Sequence, residues 1–170
     1  MKKISFCLLA LLCGTVALNS CGSDKDEPKV TPELTATYTL TMTEDVLNAA
    51  NIIVYYKGDN GADKFEPVTT TSWSKKVTTK NFPAQMGFMI AVSTKEESSL
   101  AKDTYSLGME GSISGTVNTG GSFSNTTSII SSQPSVPKSN VLNIVGKADG
   151  KQMGYRIQKD GTASSVSLKF

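Results

Sequence analysis

Residues that could perform catalysis or bind a metal are few in this chain, and their spacing suits neither role. There is no histidine, which removes the commonest general base and the chief nitrogen ligand for zinc. Two S-x-x-K matches occur, at 72–75 and 135–138, and this spacing serves a serine nucleophile when both side chains share a helical turn. The first lies in a strand pattern and the second contains Pro137 beside its lysine, so neither predicts a catalyst.

The acidic residues offer two further arrangements to consider. Asp59, Asp63 and Glu66 could supply oxygen ligands to Ca²⁺, but their spacing is unlike an EF-hand loop, and a hairpin turn with solvated acids explains them equally well. Glu96 and Glu97 could suggest a carboxylate pair for glycoside hydrolysis, but adjacent strand residues face opposite ways. We therefore expect a protein that is not an enzyme and that uses no metal or cofactor.

Aromatic side chains are the residues best suited to binding. Tyr55, Tyr56, Trp73 and Tyr155 could stack on the apolar face of a sugar ring, because an aromatic face buries the pyranose C–H groups while a tyrosine hydroxyl stays hydrated. The alternative is that these rings pack in the core. No stripe of exposed rings can be read from their spacing.

The elements that position these residues are mostly strands. From Leu34 to Met42, apolar residues alternate with threonines, and a similar alternation extends from Tyr105 to Val117, which is typical of strands with one wet face. Ile52–Tyr56 is apolar throughout, so it predicts a central strand covered on both sides. Thr43–Ala49 has a candidate N-cap followed by two acids, which predicts a short helix.

The remaining elements follow from apolar alternation and turn residues. We predict further strands at 65–71, 73–79, 82–92, 123–131, 141–145, 152–158 and 164–170. Turns are expected at 59–61, 118–121 and 160–161, and a loop at 133–139 because of Pro134 and Pro137. The total is about ten strands, which favours an all-β fold.

Leu100–Tyr105 resembles the tyrosine corner of immunoglobulin and fibronectin-type domains, in which a tyrosine hydroxyl hydrogen-bonds to nearby backbone. The resemblance covers six residues, and the Leu-to-Tyr spacing is one residue shorter than the fibronectin pattern. It implies a single immunoglobulin-like two-sheet sandwich over residues 34–170, with Trp73 packed between the sheets. A lipocalin-like β-barrel is the alternative.

The N-terminus carries a targeting pattern. Lys2 and Lys3 precede an apolar run from Ile4 to Leu18, which is too short to span a bilayer, and Leu18–Cys21 closes it. This pattern resembles the bacterial lipoprotein signal, and an ordinary transmembrane anchor is the alternative. The resemblance implies that residues 1–20 are a cleaved signal peptide and that Cys21 carries diacylglycerol and an acyl chain such as palmitate. Cys7 and Cys13 would leave with the leader, so no disulfide could form afterwards.

Residues 21–33 predict a flexible tether, because they are rich in small, acidic and proline residues and poor in apolar ones. The acids at 24, 26 and 27 resemble the surface-export signal of Bacteroidota lipoproteins, which implies the outer membrane with the domain facing the medium. A charged linker facing the periplasm is the alternative. Of 17 basic residues, two are Lys2 and Lys3, which leaves 15 against 15 acids. This balance does not fit a nucleic-acid binder.

Two functional hypotheses follow. The first is a noncatalytic cell-surface lipoprotein that binds a glycan or protein, since many Bacteroidota lipoproteins capture glycans. The second is a structural or assembly subunit of an envelope or fimbria-like complex, in which exposed strand edges and polar threonine faces make the contacts.

Overall fold

The computed structural model describes residues 30–170. The proposed leader and its cysteines, Cys21 and most of the tether lie outside the described residues. Within residues 30–170, none of the helices is long and apolar enough to cross a membrane.

Within residues 30–170, the fold consists of nine strands, two short α-helices and single 3-10 turns at Asp59–Gly61 and Glu97–Ser99. In chain order the strands and α-helices are β1 (Leu34–Met42), α1 (Glu44–Ala49), β2 (Ala50–Lys57), β3 (Asp63–Val68), β4 (Ser72–Thr79), β5 (Ala84–Thr94), β6 (Thr104–Val117), β7 (Ser122–Pro137), α2 (Lys138–Gly146), β8 (Gln152–Ile157) and β9 (Ala163–Ser165).

The strands form two antiparallel sheets that pack face to face. Sheet A has the order β4-β1-β6-β7, and sheet B has the order β3-β2-β5-β8-β9. The sheets do not close into a barrel, so the predicted two-sheet sandwich is confirmed and the lipocalin-like alternative is wrong.

Strand alternation builds the core. Along β1, the apolar residues Leu34 to Met42 are buried between the sheets while the threonines face outward. Tyr38 lies at the centre of this core. Its hydroxyl donates to the Lys57 carbonyl oxygen at 2.8 Å and accepts from the Gly87 N–H at 3.2 Å. Burial raises the pKa of Tyr38, so the phenol remains a neutral cross-link between the sheets.

The predicted hydroxyl-to-backbone bond of Tyr105 is confirmed. The Lys102 N–H donates to the Tyr105 hydroxyl oxygen at 2.8 Å. The Lys102 ammonium donates at 2.6 Å to Asp45, whose other carboxylate oxygen accepts from the Ser106 N–H at 2.8 Å. One acid of the predicted helix, α1, therefore ties that helix to the start of β6.

Two predictions for the last part of the chain are wrong. Residues 141–145 lie in α2 and not in a strand, because Val141 and Val145 are one helical turn apart and bury one face. A short apolar run fits either period. The predicted loop at 133–139 is mostly the irregular end of β7, which stays paired with β6 through register shifts.

The third difference concerns the C-terminus. In the predicted strand 164–170 only the first residues pair, as part of β9 (Ala163–Ser165). Leu168 further on packs against Gly87 and Gly154 on the outer face of sheet B. The predicted hairpin turn at 160–161 is present, with Gly161 at a φ of 83°.

Candidate binding surface

Three aromatic side chains lie together on the outer face of sheet B. Tyr55 on β2 is opposite Phe65 on β3, with ring centroids 5.8 Å apart. The ring of Phe170 lies 6.2 Å from that of Tyr55. Phe65 is 67% exposed and Phe170 is 37% exposed. We call these three residues the ring patch.

Strand alternation explains why Tyr55 faces outward. Ile52, Val54 and Tyr56 are buried between the sheets, so Ile53 and Tyr55 must point to the opposite side of β2. The expectation that Ile52–Tyr56 is covered on both sides is therefore wrong for the outer side, where these two residues are only half-buried.

The C-terminal strap, residues 166–170, holds Phe170 in place. The Val166 N–H donates to the Gly154 carbonyl oxygen at 2.9 Å, and the Leu168 N–H donates to Gln152 Oε1 at 2.8 Å. Leu168 is 5% exposed and sits over Gly87 and Gly154, which are paired on β5 and β8. Because neither glycine has a Cβ, the strap can lie close to the sheet.

Lys57 joins the strap to the ring patch. Its ammonium donates to the Lys169 carbonyl oxygen at 2.8 Å and lies 4.9 Å from the centroid of the Phe170 ring. It also pairs with the carboxylate of Asp63, its cross-strand neighbour on β3. The Lys57 ammonium therefore already has partners within the chain, and its contact with the Phe170 ring stabilises the strap over sheet B.

The remaining neighbours of the ring patch are apolar. The cross-strand register places four residues on the same outer face, namely Ile53, Pro67, Met89 and Ala91. The ring plane of Tyr55 is tilted by 36° to that of Phe65 and by 51° to that of Phe170. The surface is therefore apolar and uneven, and the rings do not form one flat platform.

Of the four aromatic residues predicted as candidates, only Tyr55 lies on this outer face. Tyr56 and Trp73 are 5% and 8% exposed and pack between the sheets with centroids 5.5 Å apart. Tyr155 is half-buried between the sheets, 6.0 Å from Phe123. The predicted packing of Trp73 between the sheets agrees with this position.

Sequence reasoning missed Phe65 and Phe170. Phe65 could have been found, because the predicted hairpin between 52–56 and 65–71 brings it close to Tyr55. Phe170 had no such signal, since the strap reaches the patch through side-chain contacts and not through regular strand pairing.

The polar atoms of Tyr56 and Trp73 meet at one carboxylate. Glu66 Oε1 accepts from the Tyr56 hydroxyl at 2.9 Å and from the Lys75 ammonium at 2.6 Å, while Oε2 accepts from Trp73 Nε1 at 3.2 Å. We call these four residues the Glu66 cluster. It joins β3 at the edge of sheet B to β4 at the edge of sheet A.

The Glu66 cluster predicts a dependence of stability on pH. The hydrogen bond from Lys75 holds the pKa of Glu66 below its ordinary value. A carboxylate with a lowered folded-state pKa contributes stability above its unfolded pKa and loses it as the pH falls through the folded pKa. Glu66→Gln should lower the free energy of unfolding by about 1 kcal/mol at neutral pH. The difference from the parent chain should shrink when urea unfolding is measured at pH 3.

The exposed acid Glu110 on the outer face of sheet A supplies a matched control, Glu110→Gln. This control should leave the neutral-pH stability within about 0.5 kcal/mol of the parent. An equal loss for Glu66→Gln at both pH values would contradict the role given to its charge.

The other residues considered for chemistry serve structural roles. Asp59 accepts from the Thr78 N–H at 2.7 Å, and Asp63 and Glu66 are paired with lysines. Ser72 and Lys75 lie on β4, so they share no helical turn. In the part of the chain that the structure describes, no three His, Cys, Asp or Glu side chains are grouped to hold a metal ion.

The outer face of sheet A is a second distinctive surface. Its cross-strand rows on β4, β1, β6 and β7 consist of serine and threonine, except for Lys76 and Glu110. One neighbouring pair of hydroxyls, Thr39 and Ser112, is hydrogen-bonded. The array forms a polar outer face of sheet A.

Comparisons with known proteins found no matching family model, no matching curated protein and no matching solved structure.

Proposed function

We propose that this chain is a noncatalytic lipoprotein of a bacterial outer membrane, anchored by lipid on Cys21 and facing the medium. Its sandwich domain binds a glycan or a protein through the ring patch. The lipoprotein signal and the acidic tether support the location, and the absence of histidine together with the pairing of Asp63 and Glu66 with lysines supports a noncatalytic role.

The observation that carries the binding role is the exposure of Phe65 beside two other rings. Three large hydrophobic side chains are exposed in residues 30–170, namely Val30, Phe65 and Phe170. Two of them belong to the ring patch. Single exposed apolar residues are ordinary, whereas a group of them on one face is typical of contact surfaces.

The shape of the ring patch favours a protein over a glycan. A pyranose needs hydrogen-bonding groups around the ring on which it stacks. The residues that flank Tyr55 and Phe65 on one side are apolar, and on the other side Lys57 and Asp63 are already paired with each other. The rings contact one another at a tilt, and their uneven apolar surface suits the apolar side chains of a protein partner. Stacking of a single sugar on Phe65 is the second ligand class.

Phe65→Ala tests this role. It should weaken binding at least tenfold, because it removes the most exposed ring, and it should leave the thermal unfolding temperature almost unchanged. The purified full chain would be assayed against a polysaccharide array and against separated envelope proteins from the same bacterium. The array and the protein assay distinguish the two ligand classes.

Val30→Ala is the matched control, because Val30 is 63% exposed and precedes β1 outside the ring patch. Binding that is unchanged in Phe65→Ala, or weakened equally in both variants, would refute the ring patch as the contact surface.

A further inference from the structure

The strand β7 lies at an open edge of sheet A and is the longest strand of the described chain, with 16 residues. It pairs with β6 in continuous register from Ser122 to Ser128, and register shifts interrupt the pairing only beyond Ser128. Both faces of β7 are exposed from Ser124 to Ser128. A regular and accessible strand edge is a template for pairing with another strand.

The backbone groups that face this open side can be assigned. The Val117 N–H donates to the Gly121 carbonyl oxygen at 3.0 Å, so these two residues form a hydrogen-bonded pair. Because such pairs alternate along an antiparallel ladder, the odd-numbered residues 123, 125 and 127 bond to β6. Ser122, Ser124, Thr126 and Ser128 therefore direct their N–H and C=O groups away from the sheet.

The other three sheet edges carry the usual protection against pairing. β3 contains Pro67 and charged residues, β4 carries Lys75 and Lys76, and β9 has three residues. β7 has no charged residue along its whole length, and its prolines lie at 134 and 137, beyond the regular stretch. Among the sheet edges formed by residues 30–170, only β7 combines length, regularity and lack of charge.

We propose that β7 pairs antiparallel with β7 of a second copy of this chain, in a twofold dimer centred on Asn125. In this register Ser122 faces the partner's Ser128, Ser124 faces the partner's Thr126, and Asn125 faces its own copy. Every residue from Ser122 to Ser128 is then paired with a residue of the partner's β7, and about eight backbone hydrogen bonds join the two chains.

The lack of charge favours a second copy as the occupant. Around a twofold axis a strand meets its own sequence, so one charged residue near the centre would place like charges together. The sequence of β7 avoids this. Because the described part of each copy has a single unprotected edge, the pairing closes at two chains and does not propagate into a fibre.

A stable interface typically buries about 1,000 Å² of accessible surface or more. Two paired strands of seven residues bury less than this, so the dimer should be weak in dilute solution. Anchoring in one membrane would raise the local concentration, and in that respect the dimer rests on the proposed lipid anchor. It does not depend on the ring patch.

Cysteine cross-linking of the full chain in a bacterial envelope tests the dimer. Asn125→Cys should form a disulfide-linked dimer on mild oxidation, because a non-hydrogen-bonded antiparallel pair holds its Cα atoms about 4.5 Å apart. The expected yield is at least fivefold above that of the unmodified chain, which measures any background from the native cysteines. Ser74→Cys, an exposed position on β4 at the opposite edge of sheet A, is the matched control.

The register has its own test. Ser122→Cys and Ser128→Cys chains, coexpressed with tags of different size, should cross-link to each other and not to themselves, because only unlike positions face each other across the twofold axis. Equal yields for Asn125→Cys and Ser74→Cys, or a product containing a different protein, would overturn the proposal. A mixed product that fails to exceed the self-linked products would also overturn it. Phe65→Ala should lose ligand binding and leave these yields unchanged, and palmitate labelling of the parent chain tests the anchor on its own. Failure of the dimer, of the ring patch and of the anchor can therefore be told apart.

Discussion

Gly87→Ala is expected to destabilise the fold by about 4 kcal/mol, which is most of the stability of a marginal domain. Gly87 has a φ of 141°, a conformation that residues with a Cβ rarely adopt. An added Cβ would overlap the Met153 carbonyl oxygen and lie 2.9 Å from the Cα of Gly154 and from Leu168 Cδ1. Backbone strain of about 1–3 kcal/mol and overpacking of about 1–3 kcal/mol act together. Urea unfolding followed by circular dichroism measures the loss.

Gly120→Ala is the control that isolates the steric part. Gly120 has a φ of 116°, and nothing lies within 4 Å of the position its Cβ would take. This variant incurs the backbone strain without the overlap, so it should be clearly more stable than Gly87→Ala. Equal urea midpoints for the two variants would show that the close approach of β5, β8 and the strap at Gly87 does not matter.

The effect at Gly87 should reach the core and the ring patch together. The Gly87 N–H donates to the Tyr38 hydroxyl at the centre of the sandwich, while Leu168 of the strap covers the opposite side of the same residue. One residue without a side chain thus lets the core tyrosine and the C-terminal strap approach β5 from opposite faces. The position of Phe170 in the ring patch depends on this arrangement.

Cys21→Ser is expected to abolish the proposed lipidation and, with it, the attachment of the chain to the membrane. The proposed anchor contributes about 0.8 kcal/mol for each buried methylene group, and serine offers no sulfur for the thioether. In a bacterial host supplied with labelled palmitate, the parent chain should incorporate label and enter the detergent phase. Cys21→Ser should do neither and should retain its leader.

Cys13→Ser is the matched control, since Cys13 belongs to the proposed leader and should be absent from the finished protein. This variant should be labelled and processed like the parent. Label retained in Cys21→Ser, or a parent chain that carries no palmitate, would refute the anchor and with it the proposed location.

The two proposed contact surfaces lie on different parts of the sandwich. The ring patch is on the outer face of sheet B, and the unprotected edge is β7 of sheet A. The two contacts involve different residues, so neither requires the other. A dimer formed through β7 would present two ring patches to one partner, which increases the apparent affinity for a repeating or membrane-bound ligand.

Local patterns were sufficient where one face of an element is buried and the other is wet. The alternation in β1 and β6 and the acids of α1 predicted these elements close to their observed bounds. Leu100–Tyr105 predicted the hydrogen bond to the Tyr105 hydroxyl, because that bond closes within four residues and depends little on the rest of the fold.

The prediction of secondary structure failed where the apolar pattern fits both a strand and another conformation. Val141 and Val145 suit a strand by composition, but they are buried on one side of α2. Val166 and Leu168 also have the alternation of a strand, yet Leu168 packs over two glycines on the outer face of sheet B. In both cases the choice depends on distant residues that provide a surface to cover.

The amino-acid sequence by itself determined the all-β class, most strand positions and the wet threonine face, because each follows from local alternation. The targeting signal stays a prediction from a short linear motif. Only the tertiary structure decided which aromatic residues are exposed, that Glu66 joins Tyr56 to Trp73, and that β7 ends at an open edge. These properties depend on which strands are neighbours and on which sheet faces the other, and contacts between residues far apart in the chain establish both.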